Sequence, residues 1–301
     1  MASKNLPAKK YTSGQREEKI LYFERDNNDT WYIDIAKALS EVNRKAYRQG
    51  LYYYVQSVEL QDNADGSTVD IYTLPDTWLT KQAWIRGYTH WSEMMDKLDV
   101  PAAKYADFKI RMTSLSASLT LEVPHGHGTA DEWNRSEFNY NKSEESGAQG
   151  TSSIYMCGPN AGSWPNTTGY GLITGYTNTR RNIGDIVEGT DPVPTATAAE
   201  DILLLDNQDG HPQSTLQKID DNDLTPYDHD NFYGVANGDL TRQFRLSTGF
   251  GAGRAATMGG FCAPLGLLKV DAACTGTYSV SLKLVPGPYH GVYAERVFDE
   301  Q

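Results

Sequence analysis

The stretch "TYSVSLKLVPGPYHG", residues 277–291, decides how the rest of the chain is read. Tyr278, Val280, Leu282 and Leu284 alternate with Ser279, Ser281 and Lys283. A period of two puts one set on a buried face and the other toward water, the signature of a half-buried strand. Pro286-Gly287-Pro288 then stops it, because proline donates no ladder hydrogen bond. His290 follows, between Tyr289 and Gly291, and no paired base, metal-ligand spacing or nucleophile accompanies it in the sequence. The stretch therefore reads as the last long strand of a sandwich. "GVYAERVFDEQ", residues 291–301, reads as a tail free to reach a neighbour.

The same period recurs upstream. From Ser114 to Val123, Leu115, Ala117, Leu119, Leu121 and Val123 share one face, and Pro124 ends the run. "SLTLEVPHGHG" at 118–128 echoes "SLKLVPGPYHG" at 281–291; the two start 163 residues apart, from 118 to 281, about one jelly-roll domain. "ILYFERDNNDTWYIDI", from Ile20, holds two short apolar runs around a turn. "LYYYVQSVEL" (51–60) reads as a strand, and "STVDIYTL" (67–74) as its hairpin partner through Asn63-Ala64-Asp65-Gly66.

Two helices are predicted. Ile35, Leu39, Val42 and Ala46 fall at helical spacing, with Gly50 as the cap. Over 80–98, Trp84, Tyr88, Trp91, Met95 and Leu98 make one stripe that packs on a sheet, although Gly87 within it costs helix stability. Residues 1–20 read as a flexible N-terminal arm. Residues 124–240 are rich in Gly, Ser, Asn, Asp, Thr and Pro, with only brief apolar runs such as "SSIYMCG", "YGLITGY" and "DILLL". Loops this long are usually functional or contact surfaces.

Composition excludes several classes. The 39 acidic residues exceed the 27 basic ones, giving a net charge of −12, which argues against direct nucleic-acid binding by phosphate neutralisation. The densest early basic group, Lys4, Lys9, Lys10, Arg16 and Lys19, is diluted by Glu17 and Glu18. Cys157, Cys262 and Cys274 have neither disulfide-framework nor zinc-ribbon spacing and read as reduced thiols. No apolar stretch reads as a signal peptide or a membrane span. Gly-x-Ser-x-Gly, Walker and His-Glu-x-x-His motifs are absent, so no catalytic residue, cofactor or small-molecule substrate is expected.

The candidate chemistry is sparse. His125 and His127, with Glu122, Asp131 and Glu132 nearby, are the candidate metal ligands, but no third ligand has a fixed spacing. "GFGAGRAATMGG" (249–260) holds Gly251-x-Gly253-x-x-Ala256, a dinucleotide-fingerprint lookalike. Its glycines and Pro264 leave no helix after it, so it reads as a glycine-rich loop or bulged strand packed tightly on a neighbour. Asp-rich clusters at 25–29, 62–65, 206–210 and 220–223 fail the calcium-loop spacing and read as solvated turns.

"IDIAKALSEVNRKAYRQGLYYYVQSVEL" (33–60), "YTLPDTWLTKQAWIRGYTHWSEM" (72–94) and "LKLVPGPYHGVYAERV" (282–297) resemble the major capsid proteins of small non-tailed icosahedral viruses. The likeness covers under a quarter of the chain. It implies an all-β jelly-roll protomer with two short helices, and length favours the double jelly roll over a single one with large loop insertions. The expected division is then a first jelly roll over 21–150 and a second over 151–301 with the C-terminal tail. It also implies a homo-oligomer, trimeric or larger, that closes a shell with other virion proteins, localised to the virion and to host cytoplasm during assembly. The lack of an arginine-rich arm would suit a shell lined by an internal membrane, or one that leaves the genome to another protein. Deleting 292–301 is expected to harm assembly more than folding.

Two other readings follow from other residues. Trp133, Trp164 and the tyrosine-rich loops suit a β-sandwich carbohydrate-binding module, lectin- or spike-like, because sugars stack on aromatic rings. A cupin-type metal hydrolase would rest on His125 and His127 alone.

Overall fold

The computed structural model describes residues 17–26, 30–62, 66–97, 107–113, 120–121, 131–132, 137–141, 149–158, 169–179, 240–249, 255–274 and 276–297. The chain opens with β1 (Ile20–Asp26), β2 (Thr30–Asp34), α1 (Ile35–Asn43), β3 (Leu51–Asp62), β4 (Thr68–Thr73) and α2 (Trp78–Lys97). A middle section holds β5 (Arg111–Thr113), β6 (Thr120–Leu121), β7 (Asp131–Glu132), β8 (Glu137–Asn141), β9 (Gln149–Cys157), β10 (Gly169–Gly171) and α3 (Leu172–Thr179). The closing section holds β11 (Thr241–Ser247), β12 (Ala255–Met258), β13 (Phe261–Ala263), a 3-10 turn at Pro264–Gly266, and β14 (Leu267–Ala273). It ends with β15 (Thr277–Leu284), β16 (Pro286–Gly287), β17 (Gly291–Val292) and β18 (Ala294–Arg296). Strand is the dominant element of the described residues, so the chain is all-β in class as expected.

Two antiparallel sheets carry the fold. The first runs β1-β15-β3-β12, with β13 and β18 also on β3; the second runs β11-β4-β14-β2. Their inner faces follow the period of two. Leu21 and Phe23, Val58 and Leu60, and Val280 and Leu282 come from the first sheet. Trp31 and Ile33, Val69 and Ile71, and Leu268 and Val270 come from the second, and all twelve belong to one buried cluster. Trp31 Nε1 donates to Tyr278 Oη across this core at 3.0 Å, which satisfies both buried polar atoms. The sheets interleave strands from 20–73 with strands from 241–296, so this sandwich crosses the boundary expected at 150/151.

The expected hairpin of β3 with β4 does not form. β3 pairs with β12, β13, β15 and β18, while β4 pairs with β11 and β14. Alternation records that each strand has a buried face, not which sheet it joins; here both faces meet the same core from opposite sides.

The opening stretch is also corrected. β15 does not end the pairing of β3 at Pro286. Leu284 lies opposite Val55, and after a short excursion Ala294 lies opposite Tyr53 and Arg296 opposite Leu51. Val285 N donates to Tyr54 O at 2.9 Å, and Tyr293 N donates to Val285 O at 2.7 Å, pinching the base of the excursion. Between them β16 pairs with β17. Gly287 is required there, because a Cβ would meet Tyr293 Cα at 2.4 Å. Residues 294–296 are therefore ladder rather than free tail, and Val297 is buried.

Of the glycine-rich stretch 249–260, residues 255–258 form an edge strand, and only Gly260 is packed closely on a neighbour among the described glycines. β12 and β13 keep one register against β3, with Met258 opposite Val58 and Phe261 opposite Val55. Gly260 sits in the gap, where a Cβ would lie 2.4 Å from Val55 O. A strand over 255–258, not a helix, follows the fingerprint lookalike; Gly251 and Gly253 lie outside the described residues.

A second buried cluster lies on the other side of the second sheet. Tyr32 and Leu267 join Trp84 of α2, Phe108, Ile110, Met112, Ile154 and Met156, and Leu172 and Ile173 of α3. Here β9 pairs with β8 antiparallel and with β5 and β10 in parallel. Part of the predicted α2 stripe is core: Trp84 is buried, with Tyr88 and Trp91 against it, and the helix packs against α3, while Leu98 lies outside the described residues. Gly87 admits a neighbour, since a Cβ there would lie 2.6 Å from Leu172 Cδ2. α3 takes up most of the brief apolar run "YGLITGY". α1 ends at Arg44, in the left-handed region at φ 53°, rather than at Gly50. Of the alternating run 114–123 only Thr120–Leu121 are described, paired with β7.

Candidate functional site

One cleft of about 850 Å³ opens at an end of the sandwich. Its walls are the α1–β3 connection (44–50), Trp84 and Tyr88 of α2, Asp107, the turn between β16 and β17, and Arg296 of β18. These segments are far apart in sequence. β3 brings the connection and β18 together, because β18 pairs with its first residues and the connection runs directly into it; Asp107 is held to the connection by Gln49 N.

Gln49 fastens the floor. It is 4% exposed, and every polar atom of its side chain is used. Its Nε2 donates to Asp34 Oδ2 at 3.0 Å and to Ile110 O at 3.1 Å, and its Oε1 accepts from Ile110 N at 2.7 Å. Its backbone N donates to Asp107 Oδ2 at 3.2 Å. Asp34 Oδ1 accepts from Lys37 N at 3.1 Å, capping α1. One glutamine thus ties the first turn of α1 and the segment before β5 to the same loop.

Tyrosines fasten the opposite wall. Tyr47 Oη donates to His290 O at 2.8 Å, Arg48 N donates to Tyr289 Oη at 3.1 Å, and Tyr53 Oη donates to Arg48 O at 2.7 Å. The rings of Tyr47 and Tyr289 lie 5.5 and 4.8 Å from that of His290. These contacts hold His290 at φ 45°, a left-handed conformation that costs a non-glycine residue about 1 kcal/mol. On the third wall Trp84 stacks on Tyr88 at 5.3 Å. Gly50, at φ 87°, leaves room for that indole: a Cβ would lie 2.4 Å from Trp84 Cζ2.

The two acids differ from ordinary carboxylates. Burial raises Asp34 above the usual range against the pull of its Lys37 and Gln49 hydrogen bonds. Burial also raises Asp107, to about 6, although Arg48 and Lys109 pull it down. The sign follows from linkage: the folded state holds its proton more tightly than the unfolded state. Stability tied to Asp107 is therefore greatest below pH 4 and is lost as pH rises through 6. Asp107→Asn is expected to flatten that slope and to raise neutral-pH stability by about 2 kcal/mol. Urea titrations of both proteins at steps across this range check it; an unchanged slope would contradict the assignment.

His125, His127, Trp133 and Trp164 lie outside the described residues, as do Glu122 and most of the Asp-rich clusters. Asp131 and Glu132 form β7. No group of three or more metal-ligating side chains converges among the described residues. Cys157, Cys262 and Cys274 are free thiols, and burial pushes Cys262 up to about 12. The cleft itself was not read from sequence. "NRKAYRQG" (43–50) carries three of its four cations, but His290 and Arg296 reach it only through the β3 ladder, and Asp107 only through its hydrogen bond from Gln49 N.

No protein-family model, curated protein or solved structure matches this chain.

Proposed function

We propose that this chain is the protomer of a virus-like shell, built on a single jelly roll whose fourth and fifth strands are separated by a long insertion. The observation that carries the reading is the pairing order. β1 pairs with β15, β2 with β14, β3 with β12 and β13, and β4 with β11. Those pairs nest like one long hairpin folded over into two facing sheets, the order of an eight-stranded jelly roll, a fold that viral capsid domains share with lectins and cupins. Counting β12 with β13, and β15 with its continuation β18 along β3, as one strand each, eight strands account for both sheets without a second sandwich, which favours the single over the double form. The insertion, 74–240, supports the shell reading, because its described elements cover the outer face of the second sheet and widen the protomer.

Function does not follow from fold alone, so the surface matters. The exposed large apolar residues Ile20 and Met258 sit on β1 and β12, the two edge strands of the first sheet. Trp78 is exposed at the start of α2. Open strand edges carrying apolar side chains are sites for association between copies. Assembly is proposed to be homo-oligomeric and closed by symmetry, with other virion proteins as partners. Sedimentation of the purified chain tests this. Ile20→Asp combined with Met258→Asp is expected to shift the protein from large species to its smallest unit while leaving the far-ultraviolet circular dichroism unchanged. Assembly that persists in the double variant would contradict this placement of the contacts.

A further inference from the structure

The chain is acidic overall, yet Arg44, Lys45, Arg48 and Arg296 line one cleft against a single carboxylate, Asp107. Lys45 is engaged by Glu17 at 2.5 Å. Among the described residues no ion pair joins Arg44, Arg48 or Arg296 to an acidic side chain. Three arginines thus line a common space. A protein of this net charge gains nothing in solubility or fold from gathering its cations in a concavity, and mutual repulsion disfavours it. A planar guanidinium presents two parallel donors, the geometry that a phosphate accepts.

Backbone strain marks the same place. Of three non-glycine residues with positive φ among the described residues, Arg44 and His290 both line the cleft. Such strain persists where surrounding structure over-determines it, and it concentrates at ligand sites. The remaining lining adds ring surface from the half-buried Tyr88 and Tyr289. The cleft volume is that of a site for a small organic molecule rather than for a bare ion.

We propose that this cleft binds a nucleotide, with Arg44, Arg48 and Arg296 holding its phosphates and Tyr88 and Tyr289 bordering its base. The nucleotide is either free or a unit of a single strand, since a basic groove with aromatic walls suits both. The proposal stands apart from the shell reading: its failure would leave that reading intact.

Calorimetric titration of the full chain with adenosine diphosphate, adenosine and an oligothymidylate of about ten nucleotides tests it. Adenosine diphosphate is expected to bind at least about tenfold more tightly than adenosine. Arg48→Ala with Arg296→Ala is expected to weaken adenosine diphosphate about tenfold or more, with an unchanged melting temperature. Both side chains are exposed, so folding is preserved; Arg44→Gln provides an independent variant with the same expected direction. Oligothymidylate binding that exceeds that of the free nucleotide, and that falls in the same variants, would identify the nucleotide as part of a strand. The reverse order would identify it as free. No binding of either phosphate-bearing probe at about 1 mM, or binding indifferent to the arginine variants, would overturn the proposal.

Discussion

Truncating the chain after Tyr293 is expected to destabilise the sandwich itself, by about 3–5 kcal/mol and a fall of about 10 °C in melting temperature. β18 is ladder, not tail: Ala294, Glu295 and Arg296 pair with Tyr53, Tyr52 and Leu51. Tyr54 Oη donates to Glu295 Oε2 at 2.8 Å. Val297 is 4% exposed within the second cluster. Losing one buried valine costs about 1.5–3 kcal/mol, and the freed edge of β3 adds unpaired backbone groups. Thermal melting and urea unfolding of the truncated chain measure the loss. A truncated protein as stable as the full chain, and deficient only in assembly, would restore the free-tail reading of 291–301.

Trp84→Ala is expected to cost about 3–5 kcal/mol, the range for removing a buried large aromatic side chain. The indole is 4% exposed, stacks on Tyr88 and meets Phe108 at 6.0 Å between ring centres. It also fills the space that Gly50 leaves on the α1–β3 connection. Its loss empties the joint between α2 and the loop that carries the arginines. Collapse of that joint is costly for the backbone, because Gly50 is fixed at φ 87°. Trp84→Phe retains part of the packing and is expected to lose less than half as much. Urea unfolding of the two variants checks the order; equal, small losses in both would show that Trp84 does not hold this joint.

Local periodicity was legible wherever one face of an element is buried. The alternation in 277–284 and the Trp84–Tyr88–Trp91 stripe both appear as predicted, because burial imposes their periods directly. Partnership was not legible. β3 has an inward face whether it pairs with β4 or opposes it, so the hairpin expectation failed at a point on which the pattern is silent. Pro286 and Pro288 signalled an interruption correctly, but only the register of 294–296 against β3 reveals that pairing resumes. The cleft was hidden for the same reason. His290 looked solitary because its partner Tyr47 precedes it by more than 240 residues. α3 was missed because "LITGYTNT" is short, β-branched and interrupted by glycine. Its helix is stabilised by packing of Leu172 into the gap at Gly87 of α2.

Electron cryomicroscopy of the purified full-length chain tests the central proposal, a shell protomer on a single jelly roll, most directly. Closed particles are expected, with one eight-stranded sandwich per chain and β1 and β12 edges at contacts between copies. A stable monomer that forms no particles at any salt concentration or pH would contradict it.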